Sequence, residues 1–248
     1  MRKTSHTVAA AILVIALLTG LFFGIYFLFK NKIIKINDYI VKKDDIRGVD
    51  ISSFQGDVDM EKLKNGGIKF VYIKATEGSS HVDEKFEQNW EKANASGLLS
   101  GAYHFFSFDS SGKTQADNFI NTVGLLKNHL IPAVDIEYHG DKKQNPPEKA
   151  NVIDELKSYM SSIEENYGVK PLLYMDQEIY DKYIKDDFKD YPRWIRSVYY
   201  PAEVEHHDGW VVWQYSDTGE LDSHSGDEKY IDLDVINRNY TLDQLTIK

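Results

Sequence analysis

Ile131-Pro132-Ala133-Val134-Asp135-Ile136-Glu137-Tyr138 is the stretch on which the reading of this chain turns. An apolar run with the character of a buried strand ends in two carboxylates separated by one isoleucine. Side chains alternate faces along a strand, so Asp135 and Glu137 point the same way, with their Cα atoms roughly 6.5–7 Å apart. Two acids on one interior face repel each other and lose solvation. A sequence shaped only for stability avoids that arrangement, so the pair marks a site of acid–base chemistry.

On either side of this stretch the chain alternates. Apolar, β-branched runs occur at 46–52, 69–75, 99–105, 130–136 and 171–175, and helix-like segments at 58–65, 82–96, 111–128 and 147–167 fall between them. Gly97, Gly101 and Gly168 are expected at helix-to-strand joints, and Pro147 in the first turn of its helix. Strand followed by helix, repeated, implies a parallel sheet with right-handed crossovers. Later the runs 193–198, 210–215 and 230–235 look like strands joined with little helix. The expectation is an α/β fold, a (β/α) barrel whose last third is abbreviated, with an open doubly wound sheet as the alternative. In either, ligands bind at the carboxyl ends of the strands.

Those ends carry Asp50, then Lys74 with Glu77 just beyond, then Tyr103-His104, Asp135 and Glu137, Tyr174, Trp194, Trp213-Gln214-Tyr215, and Asp232. Acids and aromatic rings at so many strand ends suit a sugar site, because cleavage of a glycosidic bond uses paired carboxylates. Blander readings stand beside these. Glu77 could simply pair with Lys74, His104 has the character of a hydrogen-bonded core histidine, and Tyr103, Tyr174 and Trp213 could be core aromatics as readily as sugar platforms. Trp90 reads as core packing.

The 248 residues are not all one domain. Residues 1–7 form a short tail, and Val8 to Phe29 is a run of 22 residues without charge, ending at Lys30. As a helix it would span roughly 33 Å, enough for a bilayer core, and it exceeds the apolar region of a cleaved signal. We expect an uncleaved single-pass anchor. Arg2 and Lys3 precede it while Lys30, Lys32 and Lys35 follow, so a plain positive-inside count would keep the domain inside the cell. Residues 30–45 read as a stalk, 46–240 as the barrel domain and 241–248 as a C-terminal tail. Residues 1–43 hold seven of the 29 Lys/Arg and one of the 39 Asp/Glu, which leaves 22 basic against 38 acidic residues and a formal charge of −16 beyond them. Such a balance argues against nucleic acid and against docking on anionic lipid. With no cysteine, disulfides and thiolate metal sites are excluded.

Several ordered motifs carry a family resemblance. Gly48-Val49-Asp50-Ile51-Ser52-Ser53-Phe54-Gln55-Gly56, Lys74-Ala75-Thr76-Glu77-Gly78, Gly101-Ala102-Tyr103-His104-Phe105, Asp135-Ile136-Glu137, Trp213-Gln214-Tyr215 and Ile231-Asp232-Leu233-Asp234 follow one another as in the glycoside hydrolase family 25 lysozymes, the Chalaropsis-type N-acetylmuramidases. The resemblance covers about Arg47 to Asn237. It implies an irregular TIM-like (β/α)5(β)3 barrel and hydrolysis of the β-1,4 bond between N-acetylmuramic acid and N-acetylglucosamine in peptidoglycan. Carried over residue by residue, Glu137 is the general acid, and Asp135, Asp50 and Asp232 are the other carboxylates. Tyr103, Tyr174, Trp213, Gln214 and Glu77 are candidate substrate contacts. Asp234 stands where many members have Asn. No cofactor and no metal is expected.

An acid donating a proton near neutral pH needs a raised pKa, from burial or from neighbouring negative charge. Glu137 has the longer arm and lies nearer the mouth, and Asp135 and Asp50 could supply that charge. A carboxylate activating water and the substrate's own N-acetyl group, oriented by Asp135, are both open as the source of the attack; the resemblance favours the second. Two other classes compete. The acids could hold a divalent cation, although no His-x-x-x-His spacing occurs and His206-His207 reads as a solvated loop; or the chain could be a wall-binding module without catalysis, whose expected mark is loss of Glu137 or Asp135. The expected setting is the cell membrane with the domain outside. There the anchor supplies proximity to the wall, beside an assembly such as a secretion or conjugation apparatus.

Overall fold

A computed structural model describes residues 2–203 and 209–248. Strands β1 (Arg47–Ile51), β2 (Phe70–Glu77), β4 (Leu99–Phe105), β5 (Ala133–Asp135), β6 (Leu172–Met175), β7 (Arg193–Arg196), β8 (Trp210–Gly219) and β9 (Ile231–Ile236) close into a barrel, with β3 (His81–Val82) paired on the edge of β2. From β1 round to β8 neighbouring strands are parallel; β9 runs antiparallel between β8 and β1. Helices α2 (Met60–Asn65), α3 (Phe86–Ser96), α4 (Gly112–Val123), α5 (Lys149–Tyr167) and the short α6 (Gln177–Ile179) follow the first five barrel strands. The last three strands have none, which is the expected (β/α)5(β)3 pattern.

Local chemistry sets the element ends. Ser111, Asp59, Glu148 and Asp176 each accept a backbone N–H at a helix start. Gly97 and Gly168 end α3 and α5 at positive φ, 74° and 71°. Gly101 does not stand at such a joint. It lies inside β4, where a Cβ would come 2.4 Å from the Tyr72 ring, so the missing side chain is what admits that ring to the barrel interior. Pro147 precedes the Glu148 cap rather than entering α5, and its carbonyl accepts the Tyr183 hydroxyl. The segment from Val82 does not begin a helix either, because His81–Val82 pairs with β2 and Asp83 turns the chain toward α3.

Alternation along the strands divides the core in two. Phe70, Tyr72, Leu130, Trp194 and Val212 fill the barrel, while Val71, Ile73, Phe119, Leu156, Met160 and Trp213 pack between barrel and helices. The C-terminal segment read as a tail is part of the barrel's base. Leu245 is buried, Ile131 N–H donates to the Leu245 carbonyl, and Ile247 and His129 are bonded in the same way. The segment read as a stalk also lies on the barrel: Asn37 is buried and its Nδ2 donates to the carbonyls of Ser197 and Tyr215, both at 2.9 Å. Hydrogen bonds that composition does not announce hold both segments in place, and Leu242, Leu245 and Ile247 add apolar contacts with the core. Ahead of them α1 (Arg2–Lys30) contains, at 12–30, a stretch long and apolar enough to cross a membrane, unburied by the rest of the chain.

Candidate active site

The mouth of the barrel is a cleft walled by strand ends. Asp50 comes from β1, Lys74 from β2, Tyr103 and Phe105 from β4, Asp135 from β5, Tyr174 from β6 and Asp232 from β9, with Glu137 just past the end of β5. Asp135 and Glu137 share the cleft while Ile136 between them is fully buried on the other face, which is the alternation of a strand continued past its last ladder bond. Beneath the cleft floor a hydrogen-bonded chain ties the wall together. The Tyr174 hydroxyl donates to Gln214 Oε1 at 3.0 Å, and Gln214 Nε2 donates to Asp50 Oδ2 at 2.9 Å. Trp194 Nε1 donates to Asp234 Oδ1 at 2.9 Å.

The electrostatics follow from burial. Loss of solvent raises Asp135 well above the usual carboxylate range, Glu137 and Asp50 add to the shift, and Lys74 opposes it. Glu137 is raised first by burial; Arg196 pulls it back, and Asp176 and Asp50 push it further up. Burial lifts Asp50 to about 6 against the hydrogen bond from Gln214. Asp232 and Asp234 are raised well above the ordinary range by the same burial, reinforced by Asp50. Asp234, wholly enclosed, accepts from Trp194 at Oδ1 while its Oδ2 is buried without a hydrogen-bond partner among the described residues, and burial together with Asp50 favours its protonated form. The Asp135–Glu137 pair titrates as a unit, and burial favours its holding a proton. One oxygen of Asp135, Oδ1, is buried without a hydrogen-bond partner among the described residues.

Of the residues expected from sequence, Glu137, Asp135, Asp50, Asp232, Tyr103 and Tyr174 meet at the cleft. Three do not line it. Trp213 points out through the barrel wall, where its Nε1 donates to the Ser197 carbonyl, because adjacent residues on a strand face opposite ways and Gln214 takes the interior face. Gln214 itself is buried behind Asp50, which it holds in place. Glu77 forms an ion pair with Lys74 at 2.7 Å outside the cleft and so fixes the lysine that faces the acids. His104 is enclosed between Thr76 and Gln115, 2.7 and 3.1 Å away, and burial lowers it to about 4, so it stays neutral outside the barrel wall. His206 and His207 fall outside the described residues.

Sequence reasoning missed Arg196. It stands two residues after Trp194 on β7, hence on the same face and nearer the mouth, and its charge acts on Glu137. The rule that picked out Asp135 and Glu137 applies to it unchanged. Asp217, which pairs with Arg196 at 2.9 Å, lines the cleft from a position that the sequence reads as loop, and Tyr230, at the start of the run 230–235 read as a strand, lines it as well. Among the described residues no group of three or more His, Asp or Glu side chains is arranged to hold a metal ion.

A closed α/β barrel with a buried carboxylate pair at its carboxyl-end mouth is an arrangement suited to glycoside hydrolysis. The comparisons with known proteins sharpen that class. The family described as Glycosyl hydrolases family 25 matches residues 49–224, and the chain belongs to that family. A family 25 glycosyl hydrolase from Bacillus anthracis superposes with a TM-score of 0.75 at 45% identity, covering 80% of this chain and 93% of that one. The bacterial lysozyme from Streptomyces coelicolor gives 0.72 at 26% identity, covering 82% and 96%. The autolytic lysozyme of Clostridium acetobutylicum is 30% identical over 184 residues, which are 73% of this chain and 53% of the relative.

Proposed function

We propose that this chain is a membrane-anchored lysozyme that cleaves the β-1,4 bond between N-acetylmuramic acid and N-acetylglucosamine in peptidoglycan on the outer side of the cell membrane. The observation that carries the mechanism is the unpartnered Oδ1 of Asp135, a buried acceptor at the floor of a sugar-sized cleft. Leaving such an atom unpaired costs about 1–3 kcal/mol, which a substrate N–H would recover. The acetamido group of the sugar supplies that N–H. Its hydrogen bond favours the charged form of Asp135, so the proton that the pair retains passes to Glu137, next to the leaving oxygen.

Glu137 then protonates the glycosidic oxygen as the bond breaks. The acetamido oxygen, oriented through its N–H by Asp135, attacks the anomeric carbon from the opposite face. Water opens the resulting ring with Glu137 acting as base, and the original configuration returns. Asp50, held by Gln214, and Asp232 are the other two carboxyl groups set around the oxocarbenium-like centre. Tyr103 and Tyr174 are proposed as substrate contacts. The relatives named lysozyme support the substrate class, and the apolar stretch at 12–30 supports the anchor.

A zymogram on peptidoglycan with the wild type and Glu137→Gln tests the acid: loss of one general acid costs on the order of 10²–10⁴ in rate. Equal clearing by both would refute the assignment, and no clearing by the wild type would favour a binding module. Product anomers observed by NMR decide the attack. An initial β-anomer is expected, and an initial α-anomer would mean water attacks directly.

A further inference from the structure

The segment between anchor and barrel is docked along its length, in a definite direction. Lys32 forms an ion pair with Asp217, which lines the cleft, and Lys35 Nζ donates to the Thr218 carbonyl at 2.8 Å. Asn37 reaches Tyr215 and Ser197; farther on, Val41 packs on the core, and Arg238, past the end of β9, binds Asp45 and the carbonyl of Ile40. The contacts on β8 thus descend from Thr218 through Tyr215 while the linker ascends from Lys32 to Asn37. The linker runs antiparallel to β8, from mouth to base, where β1 begins. The carboxyl end of α1 therefore stands at the mouth.

A second set of contacts says the same. Phe29, in the last turn of α1, packs on Tyr199 and Tyr200 with ring centroids 5.6 and 5.5 Å apart, and both tyrosines lie in the connection leaving β7 at its mouth end. Lys30 and Lys32 lie over the Tyr199 ring. Tyrosines and lysines at the end of an apolar helix are the residues that settle at a bilayer's polar boundary. Lys32 is two residues past the helix, and two residues span at most roughly 7 Å of chain. Lys32 and Lys35, which count against an outside domain in a charge tally, are both used by the docking.

We propose that the docked linker holds the catalytic mouth against the outer membrane surface, so that the enzyme acts on glycan strands lying next to the bilayer rather than on the wall at large. This rests on the anchoring and lysozyme readings above. A free stalk would let an acidic domain swing away from an anionic surface; the docked one does not. The substrate class is N-acetylated glycan held at the membrane, whether by a lipid or by proximity alone.

The test uses the full chain in phosphatidylcholine–phosphatidylglycerol vesicles. With no native cysteine, Glu220→Cys in the loop after β8 and Asp243→Cys at the base each provide a single labelling site. A fluorophore at 220 is expected to be quenched by headgroup-attached quencher and one at 243 spared; equal quenching, or more at 243, overturns the orientation. In parallel, hydrolysis of lipid-linked glycan in the same vesicles is compared with hydrolysis of suspended wall sacculi. The double variant Lys35→Ala/Asn37→Ala, and separately a ten-residue Gly-Ser insertion between Asn31 and Lys32 that adds roughly 17 Å of reach, are expected to lower the preference for lipid-linked glycan about tenfold. Hydrolysis of a short soluble oligosaccharide should stay unchanged and shows that each variant is folded. If the double variant does not fold, the insertion decides. An unchanged preference overturns the linker's role, whereas a wild type inactive on every substrate overturns the lysozyme reading and leaves the quenching result to stand.

Discussion

Arg196 is the residue that most sharply separates the surroundings of the two carboxylates. Both are raised by burial, but the guanidinium faces Glu137 while Lys74 faces Asp135. Removing the arginine charge removes an influence that favours ionised Glu137, so its pKa must rise. In Arg196→Gln the alkaline limb of the kcat–pH profile is therefore expected to move upward by about one unit, a typical effect of one nearby charge. A limb that moves down or stays put in steady-state assays would mean that Glu137 is not the titrating acid. Alternation made Asp135 and Glu137 legible from sequence and should have made Arg196 legible too. Trp213 and Gln214 were both candidate contacts from sequence, although alternation lets only one of two neighbours face inward, and Gln214 is the one that does. A strand's period separates its faces without saying which is inside.

At the scale of elements, the barrel depends on close approaches that a side chain would block. Gly101 on β4 leaves room for the Tyr72 ring, which crosses the interior so that its hydroxyl donates to the Ile131 carbonyl at 3.1 Å. Gly48 on β1 does the same for Phe70, whose ring atoms lie 2.3 Å from where a Cβ would stand. Gly101→Ala is expected to lower stability by about 1–3 kcal/mol, the usual cost of overpacking, seen as a lower midpoint in denaturant with an unchanged slope. The repeated strand–helix alternation and the loss of helices from β7 onward were readable from hydrophobic runs. The two short terminal segments were not. The linker's and the C-terminal segment's hold on the barrel comes from bonds such as Asn37 to Ser197 and Ile131 to Leu245, between residues far apart in the chain.

The whole molecule carries an electrostatic cost at its centre. Asp50, Asp135, Asp232 and Asp234 all have folded pKa values above those of an unfolded chain, from burial first. A raised carboxylate binds protons more tightly when folded, so its stabilising contribution is complete below about pH 4 and is lost as pH rises through the folded value, about 6 for Asp50. The melting temperature of the chain is expected to be higher at pH 5 than at pH 8. Asp234→Asn keeps an acceptor for Trp194 and removes a buried titratable carboxyl beside Asp50. It should raise Tm at pH 8 by roughly 3 °C or more and shrink the difference between the two pH values, measured by calorimetry. A variant less stable at pH 8 would show that Asp234 is charged in the folded state.

The sequence by itself determined the strand–helix alternation of an α/β fold and, through its ordered motifs, the family resemblance that implied the barrel and its candidate acids. The alternation is written in local periodicities, runs that alternate every second residue and helices that stop at glycine. Tertiary structure alone decided the placements that depend on closure of the sheet. It turned Trp213 outward, put Gln214 behind Asp50, brought Arg196 and Asp217 to the acids, and laid the linker from mouth to base. Each of those results from a meeting of residues remote in sequence, and no local period encodes which remote partner a side chain will meet.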